Sequence, residues 1–372
     1  MNTIAPPIAL TKAIYQGLQR SKMALSLAHK TSIRRILSIL RPSDRPIPVV
    51  EDEVVEVLQQ RIEGLVERDW LDGERGIYPI ELLFDEPWLE NLLIYPWLCL
   101  DSISIWNRSL DGRYQDFDPS INVDQYPKYY ARNFHHQTDG YLSDTSAKLY
   151  DLQVEILFSG VADAMRRRVI QPLRAGLSTL DSGESGESGE SSASFQISNN
   201  GRSPRILDIA CGTGRTLRNL RVALPNAALF GIDLSPNYLR RANEILRTLP
   251  ETLPQLIQGN VESLPYADGY FQGITNIFLF HELPGPIRQR ILNESYRVLA
   301  PGGTCIICDS LQAEDIPVLT PVLINFSQSF HEPFYGDYIK DDIDQRCREA
   351  GFEIVEHQTH FLSKYWVLRK PA

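Results

Sequence analysis

The stretch Arg205-Ile-Leu-Asp-Ile-Ala-Cys-Gly-Thr-Gly-Arg215 determines the fold class that we predict for this chain. Its first five residues form a short, largely apolar run with β-branched members, which is typical of a buried strand. Small residues follow, and Leu217, Leu220 and Leu224 then repeat at helical spacing. The predicted order is therefore a strand, a glycine turn and a helix. Such a turn lets a ligand approach bare backbone N–H groups, because glycine has no Cβ.

Length and composition are those of an ordinary globular protein. The chain has 372 residues, of which 43% are hydrophobic and 23% charged, enough for two domains with their own cores. Its formal net charge of −10 argues against a general nucleic-acid binder, so we expect no nucleic-acid partner. The five cysteines are scattered and odd in number, which argues against a disulfide framework. The sequence leaves the oligomeric state open.

Two of the cysteines form a CxxC pair, Cys305 and Cys308, inside an apolar run. We interpret them as strand residues, because no second Cys or His pair at ligand spacing accompanies them. The sequence therefore predicts no metal site. No secretory signal or membrane span is visible, since the most apolar window, residues 92–100, is short and contains Pro96. The predicted compartment is the cytoplasm.

Residues 1–47 form a basic segment in which apolar side chains recur at roughly helical spacing. One interpretation is an amphipathic helix that makes a peripheral contact with an anionic membrane surface. The interpretation that we favour is a terminal helix packed on the domain, with its basic face in solvent. An organellar transit peptide is a third, because the segment is poor in acidic residues.

We predict a mostly helical N-terminal or cap domain at residues 48–177, with a helix that ends before Trp70. Its many aromatic residues are expected mainly in the core, with an aromatic-lined substrate pocket as the alternative. A long helix is predicted from about residue 145 to 175, with the arginines at 166–168 on a solvated face. A flexible Ser/Gly/Glu linker follows at residues 178–203, because that segment holds too little apolar surface to fold.

One polar segment, Asn133-Phe-His-His-Gln-Thr-Asp-Gly-Tyr-Leu-Ser-Asp144, shows neither helical nor strand periodicity. A loop so dense in hydrogen-bonding groups is a site candidate. The alternative is a capped loop whose side chains satisfy local backbone groups. Our hypothesis is that His135, His136 and Tyr141 reach a site from above, as a lid.

Polar side chains follow the predicted strands of the domain at residues 204–372. Asp208 ends the first strand, and Asp233 ends the second. A carboxylate at the tip of the second strand can accept both hydroxyls of a ribose. Asn260 follows the third strand, and His281 follows the fourth. In an open α/β sheet these side chains should share one edge, where ligands bind.

Several of these motifs resemble those of the class I S-adenosylmethionine-dependent methyltransferases. The first is Leu207-Asp-Ile-Ala-Cys-Gly-Thr-Gly214, and Arg297-Val-Leu-Ala-Pro-Gly-Gly303 is a further marker. Leu279-Phe-His-Glu-Leu283 resembles the ubiquinone/menaquinone branch, with Gln272 in place of Asp and Glu282 in place of a second His. The resemblance covers about residues 204–310, whereas the N-terminal region is similar to uncharacterised cyanobacterial members. It implies an α/β fold with a seven-stranded Rossmann-like sheet that ends in two late strands.

The resemblance also implies S-adenosylmethionine as cofactor and a small, aromatic or apolar acceptor. The residues implied to hold the cofactor are Asp208, Ala210, Gly212, Gly214, Asp233, Leu234, Asn260, Val261 and Phe278. Leu149-Tyr-Asp151 resembles an element that helps to close the cofactor site in many members. The candidate bases or acceptor contacts are His281, His135 and His136, with His331 and Tyr335 as a weaker set.

Two other functions remain as alternatives at this point. The first is a nucleotide-dependent oxidoreductase, which Leu217 argues against because it occupies the third glycine position of the GxGxxG pattern. The second is a non-catalytic module that keeps the cofactor fold and binds a partner through its N-terminal region.

Overall fold

The computed structural model describes residues 8–40, 51–182, 203–249 and 252–372. Its strands are β1 (Arg205–Ile209), β2 (Ala228–Asp233), β3 (Gln255–Gln258), β4 (Phe271–Ile277), β5 (Leu299–Ser310), β6 (Glu353–His360) and β7 (Ser363–Arg369). They form one seven-stranded sheet in the order β3-β2-β1-β4-β5-β7-β6. All neighbours are parallel except β7, which runs antiparallel between β5 and β6. The predicted fold class is confirmed.

Helices cover both faces of this sheet. The N-terminal ones are α1 (Ile8–Leu40), α2 (Asp52–Glu74), α3 (Trp88–Asp111), α4 (Asp144–Leu157), α5 (Ala162–Arg167) and α6 (Ile170–Ser182). Those that follow β1 are α7 (Arg215–Ala223), α8 (Pro236–Leu246), α9 (Gly285–Val298), α10 (Thr320–Ser329), α11 (Tyr335–Tyr338) and α12 (Ile343–Glu349). The region before the sheet is thus largely helical, as predicted.

The N-terminal helices share a hydrophobic core with one face of the sheet. Trp70 of α2 and Leu173 of α6 belong to the same buried cluster as Ile206 of β1. Helix α6 lies so close to β5 that a Cβ on Gly176 would overlap the side chain of Thr304. The opposite face packs against α9 and α12 in a second cluster. The division into domains at 48–177 and 204–372 stays a prediction.

Helix α1 packs on the N-terminal helices, as in the interpretation that we favoured. Tyr15 is fully buried, and its hydroxyl donates to Asp69 Oδ2 of α2 at 2.5 Å. Several large apolar side chains of α1, among them Leu25 and Leu27, are exposed. None of the described helices is long and apolar enough to cross a bilayer. Contact with a membrane surface stays a prediction.

The long helix predicted from 145 to 175 is wrong, because the chain forms α4, α5 and α6 there. The first break follows Phe158, where Ser159 and Gly160 have φ of 56° and 84° and so leave the right-handed helical region. The linker predicted at 178–203 begins later, since α6 continues to Ser182; residues 183–202 lie outside the described residues. Helix α2 also continues past Trp70 to Glu74.

The solvated arginine face predicted at 166–168 is also wrong. Arg167 is buried and makes a paired contact with Asp69, Nε to Oδ1 at 2.9 Å and Nη2 to Oδ2 at 2.6 Å. Arg166 is paired with Asp163, and Arg168 with Asp72. Sequence reasoning missed the pairs of Arg167 and Arg168 because the carboxylates at positions 69 and 72 lie on another helix.

The aromatic residues of the N-terminal region divide between core and surface. Trp70 and Tyr78 are buried as predicted. Trp88 and Trp97 are not, since 44% and 66% of their surface is exposed on α3. The expectation of core packing is wrong for those two side chains.

Candidate functional site

The carboxyl ends of β1, β2, β3 and β4 meet at one edge of the sheet, called here the rim. The glycine turn after β1 and the end of β2 are joined by Asp233, whose carboxylate accepts N–H from Gly212 and from Ser235, each at 2.8 Å. Gly212 and Gly214 have φ of 53° and 78°, a left-handed conformation that favours glycine. The turn is therefore fixed against Asp233.

Asp208 lies buried at the end of β1, where it accepts a hydrogen bond from Thr275 Oγ1 at 2.7 Å. Burial raises the pKa of Asp208 to about 7. On β4 the neighbouring side chain is Asn276, which is buried and has no hydrogen-bond partner among the described residues at either amide atom. Buried polar groups are normally paired, so this amide is suited to a polar ligand. The sequence analysis did not single out Asn276.

The end of β3 carries a small network around Asn260. Its side-chain oxygen accepts the N–H of Glu262 at 2.9 Å, and its amide donates to Glu262 Oε1 at 3.1 Å. Tyr129 of the N-terminal region donates to the same carboxylate oxygen at 2.6 Å. Tyr129 and Glu262 were not predicted as site residues. Val261 is half-buried beside this network, and Leu234 accepts a hydrogen bond from Gln258 Nε2 at its carbonyl.

Two non-glycine residues at the rim adopt left-handed backbone conformations. Ala210 has φ of 54° and Phe278 has φ of 57°. Such conformations cost about 1 kcal/mol or more each and collect at functional sites. Phe278 also stacks on Phe158 of the N-terminal region, with ring centroids 5.3 Å apart. Both residues were predicted as cofactor contacts.

The N-terminal region reaches the rim at several points. Thr213 of the glycine turn donates to Asp151 Oδ1 at 2.7 Å, within the element predicted to close the cofactor site. From the polar segment at 133–144, the carbonyl of Tyr141 accepts from Ser235 Oγ at 2.6 Å, and Gln137 donates to Tyr238 at 2.9 Å. The hydroxyl of Tyr141 donates to Glu282 at the end of β4.

The same segment also satisfies its own backbone. Asn133 donates to the carbonyl of Gln137 at 3.0 Å, and Ser146 donates to the carbonyl of Gly140. Some side chains of this segment therefore satisfy local backbone groups, as in the capped-loop interpretation, whereas others reach the rim.

The structure brings His135 and His281 together and leaves His136 apart. His135 Nε2 lies 3.8 Å from Glu282 Oε1, and His281 Nε2 lies 4.0 Å from the same oxygen. His281 Nδ1 contacts Asp309 Oδ1 of β5 at 2.7 Å. His136 instead packs near His331, with ring centroids 5.8 Å apart.

Burial and neighbouring charges shift the pKa values in this group. Burial alone would lower the pKa of His281, but the Asp309 carboxylate raises it to about 9. Burial lowers the pKa of His135 to about 3 and raises that of Glu282. Burial also raises the pKa of Glu332, a residue that sequence reasoning missed, well above its usual range.

The weaker pair, His331 and Tyr335, lies at the border of this group. His331 stacks on Tyr114, with ring centroids 4.7 Å apart, and burial lowers its pKa to about 4. Tyr335 is buried, and its hydroxyl is 2.6 Å from Ser310 Oγ. Tyr335 therefore helps to hold the end of β5.

Comparison with known proteins supports the resemblance. The profile of a methyltransferase domain family matches residues 206–303. An uncharacterised methyltransferase of Synechocystis sp. is 30% identical over 153 residues, which cover 41% of this chain and 68% of that protein. A demethylmenaquinone methyltransferase of Lactococcus lactis is 28% identical over 174 residues, which cover 42% of this chain and 68% of that protein.

Two further matches complete the comparison. A sarcosine/dimethylglycine N-methyltransferase of Halorhodospira halochloris is 31% identical over 173 residues, which cover 43% of this chain and 56% of that protein. A solved structure of an S-adenosylmethionine-dependent methyltransferase from Methanosarcina mazei superposes with a TM-score of 0.37 at 18% identity, covering 46% of this chain and 93% of that one.

The chain belongs to the class I S-adenosylmethionine-dependent methyltransferases. A methyltransferase of this class implies S-adenosylmethionine as the methyl donor. The rim fits such a group in two respects: Asn276 offers an unpaired buried amide, and the position of a Cβ on Gly212 is nearly open, with Tyr238 the nearest side chain at 4.0 Å. Membership of this family argues against the alternative of a nucleotide-dependent oxidoreductase.

Proposed function

We propose that this protein transfers a methyl group from S-adenosylmethionine to a small aromatic or apolar acceptor, held between the rim and the N-terminal region. The observation that carries the proposal is the contact of Tyr141 with both Ser235 and Glu282, because it brings the N-terminal region over the strand ends. Methyl transfer needs an acceptor fixed in line and water excluded, and a covered rim supplies both.

In this proposal the predicted cofactor residues keep their roles. Asp233 accepts the ribose hydroxyls, since its carboxylate has acceptor capacity beyond the two backbone N–H groups that it binds. Asn260 and Val261 contact the adenine, while Leu234 and Phe278 border it. Asp208 orients the methionine end, and we add Asn276 as a second polar contact there.

The glycine turn completes the proposed cofactor site. Gly212 brings bare backbone close to the ligand, and Ala210 and Gly214 flank it in the same turn. When bound, S-adenosylmethionine supplies an electrophilic methyl group, whose transfer leaves a thioether and frees a proton if the acceptor atom is an O–H or N–H.

The acceptor side is the part of the rim that His135 and His281 border. The His135 ring lies edge-on to Phe326 and Phe330, with centroids 5.9 and 5.8 Å away. Tyr141 packs against Phe134, Tyr150 and Tyr238 on the other side. Aromatic walls of this kind suit a flat acceptor such as a quinol or phenol. His136 packs near His331 instead, so the proposal gives it no contact with the acceptor.

The test is methyl transfer from methyl-labelled S-adenosylmethionine in a cell extract, followed by a panel of quinols, phenols and small amines. We expect label in a phenolic or quinol compound. His135→Ala should lower turnover at least tenfold while cofactor affinity stays within twofold, whereas His136→Ala should turn over normally. Cofactor binding without transfer to any compound would favour the non-catalytic module instead. Normal turnover by both variants would contradict the proposed position of the acceptor beside His135.

A further inference from the structure

Four side chains from three separate parts of the chain meet beside the rim: His135, His281, Glu282 and Glu332, called here the His–Glu cluster. One ligand atom each from His135, His281 and Glu282 lies within 4.8 Å of the other two. Glu332 Oε1 adds a fourth donor, 3.2 Å from His135 Nε2. Donor atoms around a tetrahedral ion with bonds of about 2.0–2.2 Å are about 3.3–3.5 Å apart. Glu282 Oε1 lies 3.8 and 4.0 Å from the two ring nitrogens, so these three donors are close to the required size.

The carboxyl groups of this cluster are buried or nearly so. Glu332 is 4% exposed, and neither of its carboxylate oxygens has a hydrogen-bond partner among the described residues. Within the described parts of the chain, Glu282 and Glu332 form ion pairs only with histidine rings. Asp309 adds a third buried carboxylate next to His281. An ionised Glu332 would be costly to bury without a hydrogen bond, and a divalent cation beside it would remove that cost.

The groups behind the cluster are those that orient metal ligands. His281 Nδ1 is held by Asp309 Oδ1 at 2.7 Å, which turns Nε2 toward Glu282. Tyr141 donates its hydroxyl to Glu282 and fixes that carboxylate. A ligating histidine commonly donates its other ring N–H to a carboxylate, and ligating carboxylates are themselves hydrogen-bonded. The first feature is present at His281 and the second at Glu282, whereas His135 Nδ1 and the Glu332 carboxylate have no hydrogen-bond partner among the described residues.

The backbone and the surface next to the cluster add two observations. His135 has φ of 53°, so its ring is placed by a left-handed conformation that non-glycine residues rarely adopt. A cavity of about 370 Å³, lined by His136, His331 and Glu332 among others, lies beside the cluster. Of the four donors, Glu332 borders this cavity.

We propose that the His–Glu cluster binds one divalent transition-metal ion, with His135, His281, Glu282 and Glu332 as its ligands. Two imidazoles with carboxylate oxygens suit Zn²⁺ or Co²⁺, whereas Mg²⁺ and Ca²⁺ prefer all-oxygen sites. The site goes beyond the proposed methyl transfer and depends on neither S-adenosylmethionine nor the acceptor. The sequence predicted no metal site, since spacing along the chain does not reveal ligands that lie so far apart.

The test is metal binding by the full chain after treatment with a chelator. Co²⁺ titration followed by visible absorption, and Zn²⁺ content after dialysis, should both give one ion per chain. His135→Asn should weaken Co²⁺ binding at least tenfold; Asn tolerates the left-handed backbone but is too short to reach the ion. His136→Asn is the matched control, because His136 has φ of 54° and lies outside the cluster. Its binding should equal that of the wild type.

A second variant guards against loss of folding. If His135→Asn does not give a cooperative thermal transition, Glu282→Gln replaces it, since that change keeps the size of the side chain and removes the charge. We expect it to weaken Co²⁺ binding at least tenfold as well. The proposal would be overturned if the wild-type chain took up no Zn²⁺ or Co²⁺ at a metal concentration of about 100 μM. It would also be overturned if the folded variants bound Co²⁺ as tightly as the wild type.

Discussion

Replacing Asp233 by alanine tests the proposed cofactor site most directly. The carboxylate is 9% exposed and accepts two backbone N–H bonds at 2.8 Å, which place it between the glycine turn and the start of α8. Asp233→Ala removes the proposed charge-assisted hydrogen bonds to two ribose hydroxyls, a loss of about 2–3 kcal/mol. That energy corresponds to a Kd for S-adenosylmethionine that is roughly 30- to 140-fold higher.

Isothermal titration of the wild type and the variant with S-adenosylmethionine measures this ratio. The variant also leaves the N–H groups of Gly212 and Ser235 without their acceptor, so some loss of stability is expected. Asp342→Ala is the matched control: it removes a carboxylate that caps α12 by accepting the N–H of Gln345 at 2.8 Å and that is not one of the proposed cofactor residues. Its affinity for S-adenosylmethionine should be unchanged. A folded Asp233→Ala variant with wild-type affinity would refute the assignment of the ribose contact.

Two predictions concern stability. Asp69→Asn should lower the free energy of unfolding by about 3–5 kcal/mol in urea titrations, because buried Arg167 loses its charged partner. The control is Glu67→Gln, which breaks the exposed pair with Lys12 and should cost less than about 1 kcal/mol. Equal losses in the two variants would contradict the reasoning. Asp208 has a pKa of about 7 in the folded chain, above that of an unfolded Asp, so without cofactor the wild type should lose stability as the pH rises from about 4 to about 7. Asp208→Asn removes that titration, so over this range its free energy of unfolding should rise by more than about 1 kcal/mol relative to that of the wild type. A difference in free energy of unfolding that does not depend on pH would argue against a buried Asp208.

The sheet and its rim could be predicted from the sequence because their signals are local. A buried parallel strand is a short apolar run, and a glycine turn is a few adjacent residues, so the strand predicted at residues 205–209 coincides with β1, and β2 ends at Asp233 as predicted. In a parallel sheet the carboxyl ends then share one edge, which brings Asp208, Asp233 and Asn260 to the rim.

Contacts between distant parts of the chain needed the tertiary structure. Three consecutive arginines have the pattern of a solvated face, and only the packing of α2 against α5 brings Asp69 to Arg167. The chain between 145 and 175 has helical periodicity throughout, but Ser159 and Gly160 adopt positive φ and break it. Local propensity is a weak signal that packing overrides.

The acceptor side illustrates the same limit most clearly. The sequence indicated both His135 and His136 as candidates, because a sequence pattern does not distinguish two adjacent histidines. Only the folded backbone separates them, because it points His135 toward Glu282 and Glu332 and His136 toward His331. The sequence by itself therefore determined the class of protein and the edge of the sheet at which we propose that the cofactor binds, through local strand and turn signals. Which side chains face one another across that edge was decided by packing between residues far apart in the chain.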